Sequence, residues 1–114
     1  MNTQVDNSTK PVRIRGKEEL QELLAREPLV LAEFYSRSCP KCDAQEPILG
    51  LIAREFDGVV VMVDPGDDLE LVREFGVASM PGFVRFVDEE PMATLAEGVI
   101  LAAELLAFAS DTHE

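Results

Sequence analysis

The sequence predicts an α/β fold, in which a central mixed β-sheet is flanked by helices on both faces. Residues 29–35 and 59–63 are nearly continuous apolar runs, which are typical of central strands covered on both faces. Strand and helix patterns follow in the order β-α-β-α-β-α-β-β-α, which requires a mixed sheet. With 114 residues, 46% of them hydrophobic, the chain is long enough for one globular domain and too short for two.

The chain is predicted to divide into one domain and two short tails. Residues 1–11 are polar, show no periodicity and end in Pro11, so we predict a flexible N-terminal tail. The domain is predicted over residues 12–110, and residues 111–114 form a predicted C-terminal tail.

The first predicted elements are a strand, a helix and a second strand. Residues 12–14 suit a short edge strand, and residues 17–26 place three leucines on one face of a helix that ends before Pro28. The apolar run at 29–35 follows and leads to Cys39. A buried strand therefore delivers the cysteine pair to the next helix.

That next helix is predicted from the cysteines to Phe56, because apolar residues recur at four-residue intervals. Pro40 suits the first helical position, where its missing N–H has no intrahelical partner. Pro47 falls inside the pattern and is expected to kink the helix, and Gly58 closes it.

The second half of the chain is predicted to contain three strands and two helices. Residues 59–63 suit a buried strand and residues 69–75 a short helix. Residues 82–87 and 92–96 flank an acidic turn and predict an antiparallel hairpin. Residues 100–109 have high helix propensity and a broad apolar face, so this last helix is expected to dock on the sheet.

Charge and residue usage exclude several classes of function. The 22 acidic and 10 basic residues leave a formal net charge of −12, which disfavours nucleic acid and anionic membranes as partners. No apolar run approaches the roughly 20 residues that span a bilayer, and the polar N-terminus lacks a signal peptide's apolar segment, so a soluble cytoplasmic protein is expected. We also expect the chain to be a monomer. Cys39, Cys42 and His113 are too few for a four-ligand zinc site within one chain, so no metal is expected.

The segment Cys39-Pro40-Lys41-Cys42 is the candidate site. A thiol at the junction of strand and helix faces unpaired N–H groups and the positive end of the helix dipole, which favour thiolate. Arg37, Pro40 and Lys41 are expected to tune its pKa. Cys39 is the predicted nucleophile, and Cys42 can resolve a mixed disulfide formed on it. A structural disulfide, inert cysteines and a metal site shared between chains are the alternatives.

At this point the chain resembles the thioredoxin family over about residues 12–110. The sequence Glu-Phe-Tyr-Ser at 33–36 leads to Cys39 with the spacing of the family's Asp-Phe-Trp-Ala. Pro47 stands five residues after the second cysteine, where the family has its kinking proline. The segment Glu-Phe-Gly-Val-Ala-Ser-Met-Pro at 74–81 is similar to the family's approach to its cis-proline. The resemblance implies the thioredoxin fold.

The resemblance also implies a role for each residue around the cysteines. Cys39 would be the exposed attacking thiol, Cys42 the buried resolving thiol, and Glu33 the buried acid that accepts the proton of the resolving thiol. The substrate groove would be formed by Met80, Pro81, Gly98 and Val99, with the Met80–Pro81 bond in the cis form. From the residues alone, Glu33 either has a raised pKa or reaches water near the end of its strand.

Several positions depart from the family's pattern. The residues between the cysteines are Pro40 and Lys41 rather than Gly-Pro, and Ser38 replaces the usual Trp. Gly82 replaces the Thr after the cis-proline, and Val60 stands where a lysine accompanies the buried acid. Because residues between the cysteines tune thiolate stability, these departures bear on the reduction potential.

The predicted function is a thiol–disulfide oxidoreductase that reduces protein disulfides by dithiol exchange through Cys39 and Cys42. It needs no cofactor besides that redox-active disulfide. The resemblance implies protein disulfides as substrates and a flavin-containing thioredoxin reductase as electron donor. Pro40 leaves a glutaredoxin-like or oxidase/isomerase role as one alternative, and the loss of the tryptophan and the lysine leaves a redox-sensing or binding module with little turnover as another.

Overall fold

The computed structural model describes residues 10–111. Its elements are β1 (Val12–Arg15), α1 (Gly16–Arg26), β2 (Leu29–Phe34), α2 (Pro40–Ala53), β3 (Val59–Asp64), α3 (Leu69–Glu74), β4 (Gly82–Val87), β5 (Glu90–Leu95) and α4 (Ala102–Ser110). This is the order that the sequence predicts. Residues 1–9 and 112–114, which include His113 and most of both predicted tails, lie outside the described residues, and the domain boundaries at 12 and 110 stay predictions.

The strands form one mixed sheet in the order β1-β3-β2-β4-β5. β3 pairs in parallel with both β1 and β2, whereas β4 runs antiparallel to β2 and β5 antiparallel to β4. One row of register partners crosses four strands, from Arg13 through Met62 and Glu33 to Phe83. Because partners in register point to the same side of a sheet, these four side chains share one face.

Each face of the sheet has its own apolar core, so the predicted α/β fold with helices on both faces is confirmed. One core packs α1 and α3 against the sheet and includes Leu20, Leu23, Val30, Phe34, Val61 and Leu71. The other packs α2 and α4 against the opposite face and includes Leu31, Leu49, Ile52, Met62, Phe83 and Leu105. Both faces of β2 and β3 are therefore covered, which explains their continuous apolar sequences.

The hairpin turn is tighter than the sequence predicts. β5 begins at Glu90, two residues before the predicted start, because Asp88 and Glu89 form the turn with φ of 50° and 75°. Two-residue hairpin turns require this left-handed backbone, and the usual Asn-Gly signal is absent here. Pro91 pairs opposite Phe86 beside an irregularity in the ladder, as an edge strand tolerates.

The last helix begins at Ala102 rather than at the predicted residue 100. Leu101 has an extended backbone, and the main chain of Ile100 is bonded to the side chain of Gln45 on α2. A side chain from another element thus holds Ile100 outside the helix despite its helical sequence pattern.

Candidate active site

The two cysteines are joined in a disulfide at the start of α2. Cys39 is the N-cap of the helix, and Cys42 lies in its first turn with a Cα–Cα separation of 5.2 Å. The backbone N–H of Cys42 donates a hydrogen bond to Cys39 Sγ over 3.1 Å. Cys42 is buried and Cys39 is partly accessible. Solvent and partners therefore reach the first sulfur more easily than the second.

The surroundings of Cys39 can stabilise negative charge on its sulfur. At the helix N-terminus, the backbone N–H of Cys42 points toward this sulfur. Pro40 occupies the first helical position, and both Pro40 and Lys41 are exposed beside the disulfide. Arg37 is also close in sequence, but its guanidinium lies 3.8 Å from the carboxylate of Asp64, which engages part of its charge. Lys41 is the cation between the two cysteines in sequence, and it is exposed.

A proline loop lies directly against the disulfide. The Met80–Pro81 peptide bond is cis, as expected from the sequence, and Cys39 Sγ lies 3.8 Å from the carbonyl oxygen of Met80. Pro81 is buried and Met80 is partly buried. Ser79 Oγ donates to the carbonyl of Ala96 over 3.4 Å, which ties this loop to the segment after β5.

The segment between β5 and α4 is fixed to the cysteine helix by Gln45, a residue that sequence analysis missed. Gln45 is fully buried; its Nε2 donates to the carbonyl of Ile100 and its Oε1 accepts from the N–H of Ile100, both over 2.8 Å. Gly98 in this segment has φ of 93°, and Val99 is 38% exposed. The available signal was an amide one helical turn after Cys42, at a position where the helix faces the core.

The absence of a threonine after Pro81 has a steric explanation. A Cβ on Gly82 would lie 2.8 Å from the carbonyl oxygen of Ser79 and would also collide with the side chain of Val77. Gly82 therefore lets the proline loop pack closely against the end of β4. The departure from the family's pattern is accommodated by local packing.

We expect Gly82→Ala to lower the free energy of unfolding by about 1–3 kcal/mol, because the added methyl group forces the loop to shift. Gly50→Ala is the matched control: nothing lies within 4 Å of its Cβ position in the last turn of α2. That variant should raise the free energy of unfolding by roughly 0.5–1 kcal/mol through helix propensity. Urea unfolding of the oxidised proteins measures both, and equal effects would contradict the steric explanation.

Glu33 is completely buried, at 0% exposure, among the apolar residues of the α2 and α4 core. Neither carboxylate oxygen has a hydrogen-bond partner among the described residues. The pKa of Glu33 is raised to about 8, mainly by burial; the negative charge of Glu46 contributes to the rise, and the positive charge of Arg13 opposes it. From the sequence, Glu33 is expected either to be buried with a raised pKa or to reach water near the end of its strand. In the structure its carboxyl is buried.

A cavity of about 370 Å³ opens beside the buried cysteine. Cys42, Met62, Tyr35, Arg13 and Glu46 contribute to its lining. Arg13 forms an ion pair with Glu46 and donates to the hydroxyl of Tyr35 over 3.5 Å. Sequence analysis missed the ion pair, because its partners are 33 residues apart and meet only when β1 and α2 are assembled.

A mixed sheet that presents a C-x-x-C disulfide at a helix N-terminus beside a cis-proline defines a dithiol protein of the thioredoxin fold. The thioredoxin family model matches residues 11–111. A thioredoxin of Mycoplasmoides gallisepticum is 32% identical over 93 residues, covering 81% of this chain and 92% of that protein. The chain belongs to the thioredoxin family, whose members are thiol–disulfide oxidoreductases.

Two further comparisons agree. Thioredoxin-T of Drosophila melanogaster is 38% identical over 78 residues, or 65% of this chain, but the match spans only 48% of that longer protein. The structure of a thioredoxin mutant from Halobacterium salinarum superimposes with a TM-score of 0.83 at 25% identity and covers 95% of both chains.

Two kinds of feature are absent from residues 10–111. No cluster of three or more His, Cys, Asp or Glu side chains in this range is arranged to hold a metal ion. None of the helices in the same range combines the length and apolar character needed to cross a membrane.

Proposed function

We propose that this chain is a protein-disulfide reductase that works by dithiol exchange through Cys39 and Cys42. The observation that carries the proposal is the disulfide itself, since one sulfur is partly accessible and the other is buried behind it. A structural staple would close only a very short loop and contribute roughly 2 kcal/mol by loop entropy. Its position beside the Met80–Pro81 loop suits exchange with a partner better than stabilisation of the fold.

The proposed reaction moves two electrons and two protons. The thiolate of Cys39 attacks a client disulfide, forms a mixed disulfide and releases the first client thiol. The sulfur of Cys42 then attacks Cys39 Sγ, breaks the mixed disulfide, closes the Cys39–Cys42 bond and releases the second thiol. Glu33 accepts the proton that Cys42 loses. The client is reduced and the chain is oxidised.

The groove for the client is part of the same proposal. Met80, Pro81, Gly98 and Val99 would receive an extended segment of the client, with Met80 pairing through its backbone. Pro40 and Lys41 would tune the pKa of the attacking thiol. Support comes from the 3.8 Å approach of the Met80 carbonyl to Cys39 and from the exposed side chain of Val99.

The proposal includes an electron donor and a subcellular compartment. A thioredoxin-reductase-like flavoprotein would reduce the disulfide again, with no cofactor bound to this chain. The reaction would take place in the cytoplasm, because a reductase needs a compartment in which the donor keeps it reduced. We propose that the chain works as a monomer.

The reduction potential of the Cys39/Cys42 couple tests the proposal. The chain has no tryptophan, so alkylation and mass spectrometry across defined thiol–disulfide buffers are the method of choice. We expect a value near −270 mV, together with reduction of a protein disulfide such as that of insulin. A chain without a reversible couple would be a binding module instead.

One observation favours a second candidate. Pro40 directly follows the attacking cysteine and is exposed. This is more typical of glutaredoxins and bacterial disulfide oxidoreductases than of reductases. A potential above about −200 mV, or efficient turnover of glutathione, would identify an oxidase/isomerase or glutaredoxin-like role.

A further inference from the structure

An ion pair lies on the same face of the sheet as the buried carboxyl. Arg13 and Glu33 both take Met62 as register partner, from opposite sides of β3, so two strand spacings of about 10 Å in total separate their backbones. Above this row, Glu46 on α2 is one helical turn beyond Cys42 and forms the ion pair with Arg13. The pair therefore bridges β1 and α2 over the layer that contains Glu33.

The ion pair lines the cavity that reaches the resolving cysteine. Arg13 and Glu46 are about half exposed at the solvent side, with side-chain exposures of 53% and 46%. Cys42 and Met62 form the inner part of the lining and are almost fully buried. The charges of Arg13 and Glu46 thus lie at the solvent side of the cavity that Cys42 and Met62 line from within.

The other charged or titratable groups around Glu33 are few. Tyr35 lies on the same strand face, Asp43 lines the cavity from α2, and Asp64 ends β3 beside Arg37. Arg85 on β4 faces the same layer but is opposite Leu31, on the side away from the disulfide, and donates to the carbonyl of Phe108. The Glu104 side chain of α4 is exposed. Val60, which stands where the family has a lysine, is apolar and buried.

We propose that Arg13 and Glu46 are positioning residues that control proton transfer from Cys42 to Glu33, by holding opposite charges at the mouth of this cavity. The inference rests on the proposed function of Cys42 as the resolving thiol. Glu46 disfavours a second negative charge on Glu33, whereas Arg13 favours it. The pair as a whole keeps the two effects in balance, so that the carboxyl can take up a proton and release it again.

In the resolving step, the S–H bond of Cys42 breaks and its proton passes to a carboxylate oxygen of Glu33. The electron pair left on the sulfur forms the bond to Cys39 Sγ, and the bond between Cys39 and the client sulfur breaks. The client leaves as a thiolate and takes its proton from solvent. Glu33 then returns its proton to solvent, and no further oxidant or reductant is needed.

Single charge removals test the proposal, because the two partners should act in opposite directions. Arg13→Met should move the titration midpoint of Glu33 to higher pH, and Glu46→Gln should move it to lower pH. Each shift should be roughly one pH unit, the size expected for one charge about 10 Å away in a partly buried setting. The double variant should return close to the parent, and Arg13→Lys should preserve the parent midpoint.

Two readouts are needed. The side-chain carboxyl ¹³C shift of Glu33 in the oxidised protein reports its titration directly. The pH dependence of disulfide closure, measured in a single turnover of the reduced protein with glutathione disulfide, reports the resolving step. Glu70→Gln and Arg73→Met are the matched controls, because they break an exposed ion pair of 2.9 Å on α3 and should change neither readout.

Opposite shifts in both readouts support the proposal. Shifts of both variants in the same direction would show that the ion pair acts only by holding β1 and α2 together. Unchanged midpoints would show that the pair does not act on Glu33. Either result overturns the proposal. A shift in the Glu33 titration without a shift in the closure profile overturns it as well. Since the small disulfide replaces a protein client, failure of the protein-reductase function is detected separately by the insulin assay.

Discussion

We expect Cys39→Ser to abolish disulfide reduction, and Cys42→Ser to stop after one attack and accumulate a mixed disulfide with the client. The first change removes the partly accessible sulfur that begins the exchange. The second leaves that sulfur in place and removes the buried group that would release the client. We expect a loss in turnover of at least ~10³-fold for each variant, because a hydroxyl does not replace a thiolate in either step.

The two variants also control for each other. Both delete the same disulfide, so any effect of the staple on stability is equal, and roughly 2 kcal/mol at most. Only the chemistry of the remaining sulfur differs. Non-reducing gels and mass spectrometry of the trapped species distinguish them, and far-UV circular dichroism checks the fold. Retained turnover in Cys39→Ser, or trapping by Cys39→Ser instead of Cys42→Ser, would contradict the proposed order of attack.

Much of the fold could be predicted because its signals are local. Strands β2 and β3 are recognisable as apolar runs, and Pro40 marks the start of the cysteine helix. The predicted end of this helix at Phe56 lies beyond its observed end at Ala53. The position of the hairpin turn is less predictable, because Asp88 and Glu89 adopt left-handed backbone without a glycine to indicate it. The redox pair is predictable for the same reason as the strands, because the two cysteines and the start of the helix are adjacent in sequence.

The rest of the site depends on contacts between distant segments. Gln45 bonds to Ile100 across 55 residues, and Arg13 meets Glu46 across 33. Nothing in a linear pattern marks these partners, because the pairing follows from strand order and from the rotation of α2 over the sheet. The surroundings of Glu33 illustrate what a sequence cannot predict. Its sequence neighbours indicate burial, but only the strand register shows which charged residues lie on the same face.

We expect Glu33 to make the stability of the oxidised protein fall as the pH rises. Its pKa is about 8 in the folded state, against 4.5 for an ordinary glutamate, so the folded protein holds the proton more tightly than the unfolded chain. Below pH 4.5 the carboxyl is neutral in both states and this penalty is absent. Between pH 4.5 and about 8 the unfolded chain ionises while the folded protein does not, and the free energy of unfolding decreases by roughly 5 kcal/mol in total.

Glu33→Leu should remove this slope and raise the free energy of unfolding at pH 7 by about 3 kcal/mol. Glu33→Gln should also remove the slope, with a smaller gain, since its amide is buried without the partners it needs. Urea unfolding at several pH values from 5.5 to 8.5 measures both variants. Glu104→Gln, an exposed glutamate on α4, is the matched control and should keep the slope of the parent.

The same substitutions should slow the closure of the Cys39–Cys42 disulfide by about a hundredfold above pH 8, the usual size of a lost general base, and by about tenfold at pH 7, where only about a tenth of Glu33 is ionised and able to accept a proton. Stability and activity thus move in opposite directions at one position, which is expected where a buried carboxyl serves chemistry rather than packing. If the slope persisted in both variants, another buried group would be titrating. If the slope disappeared while disulfide closure stayed fast, Cys42 would lose its proton directly to solvent. Glu33 would then only destabilise the fold.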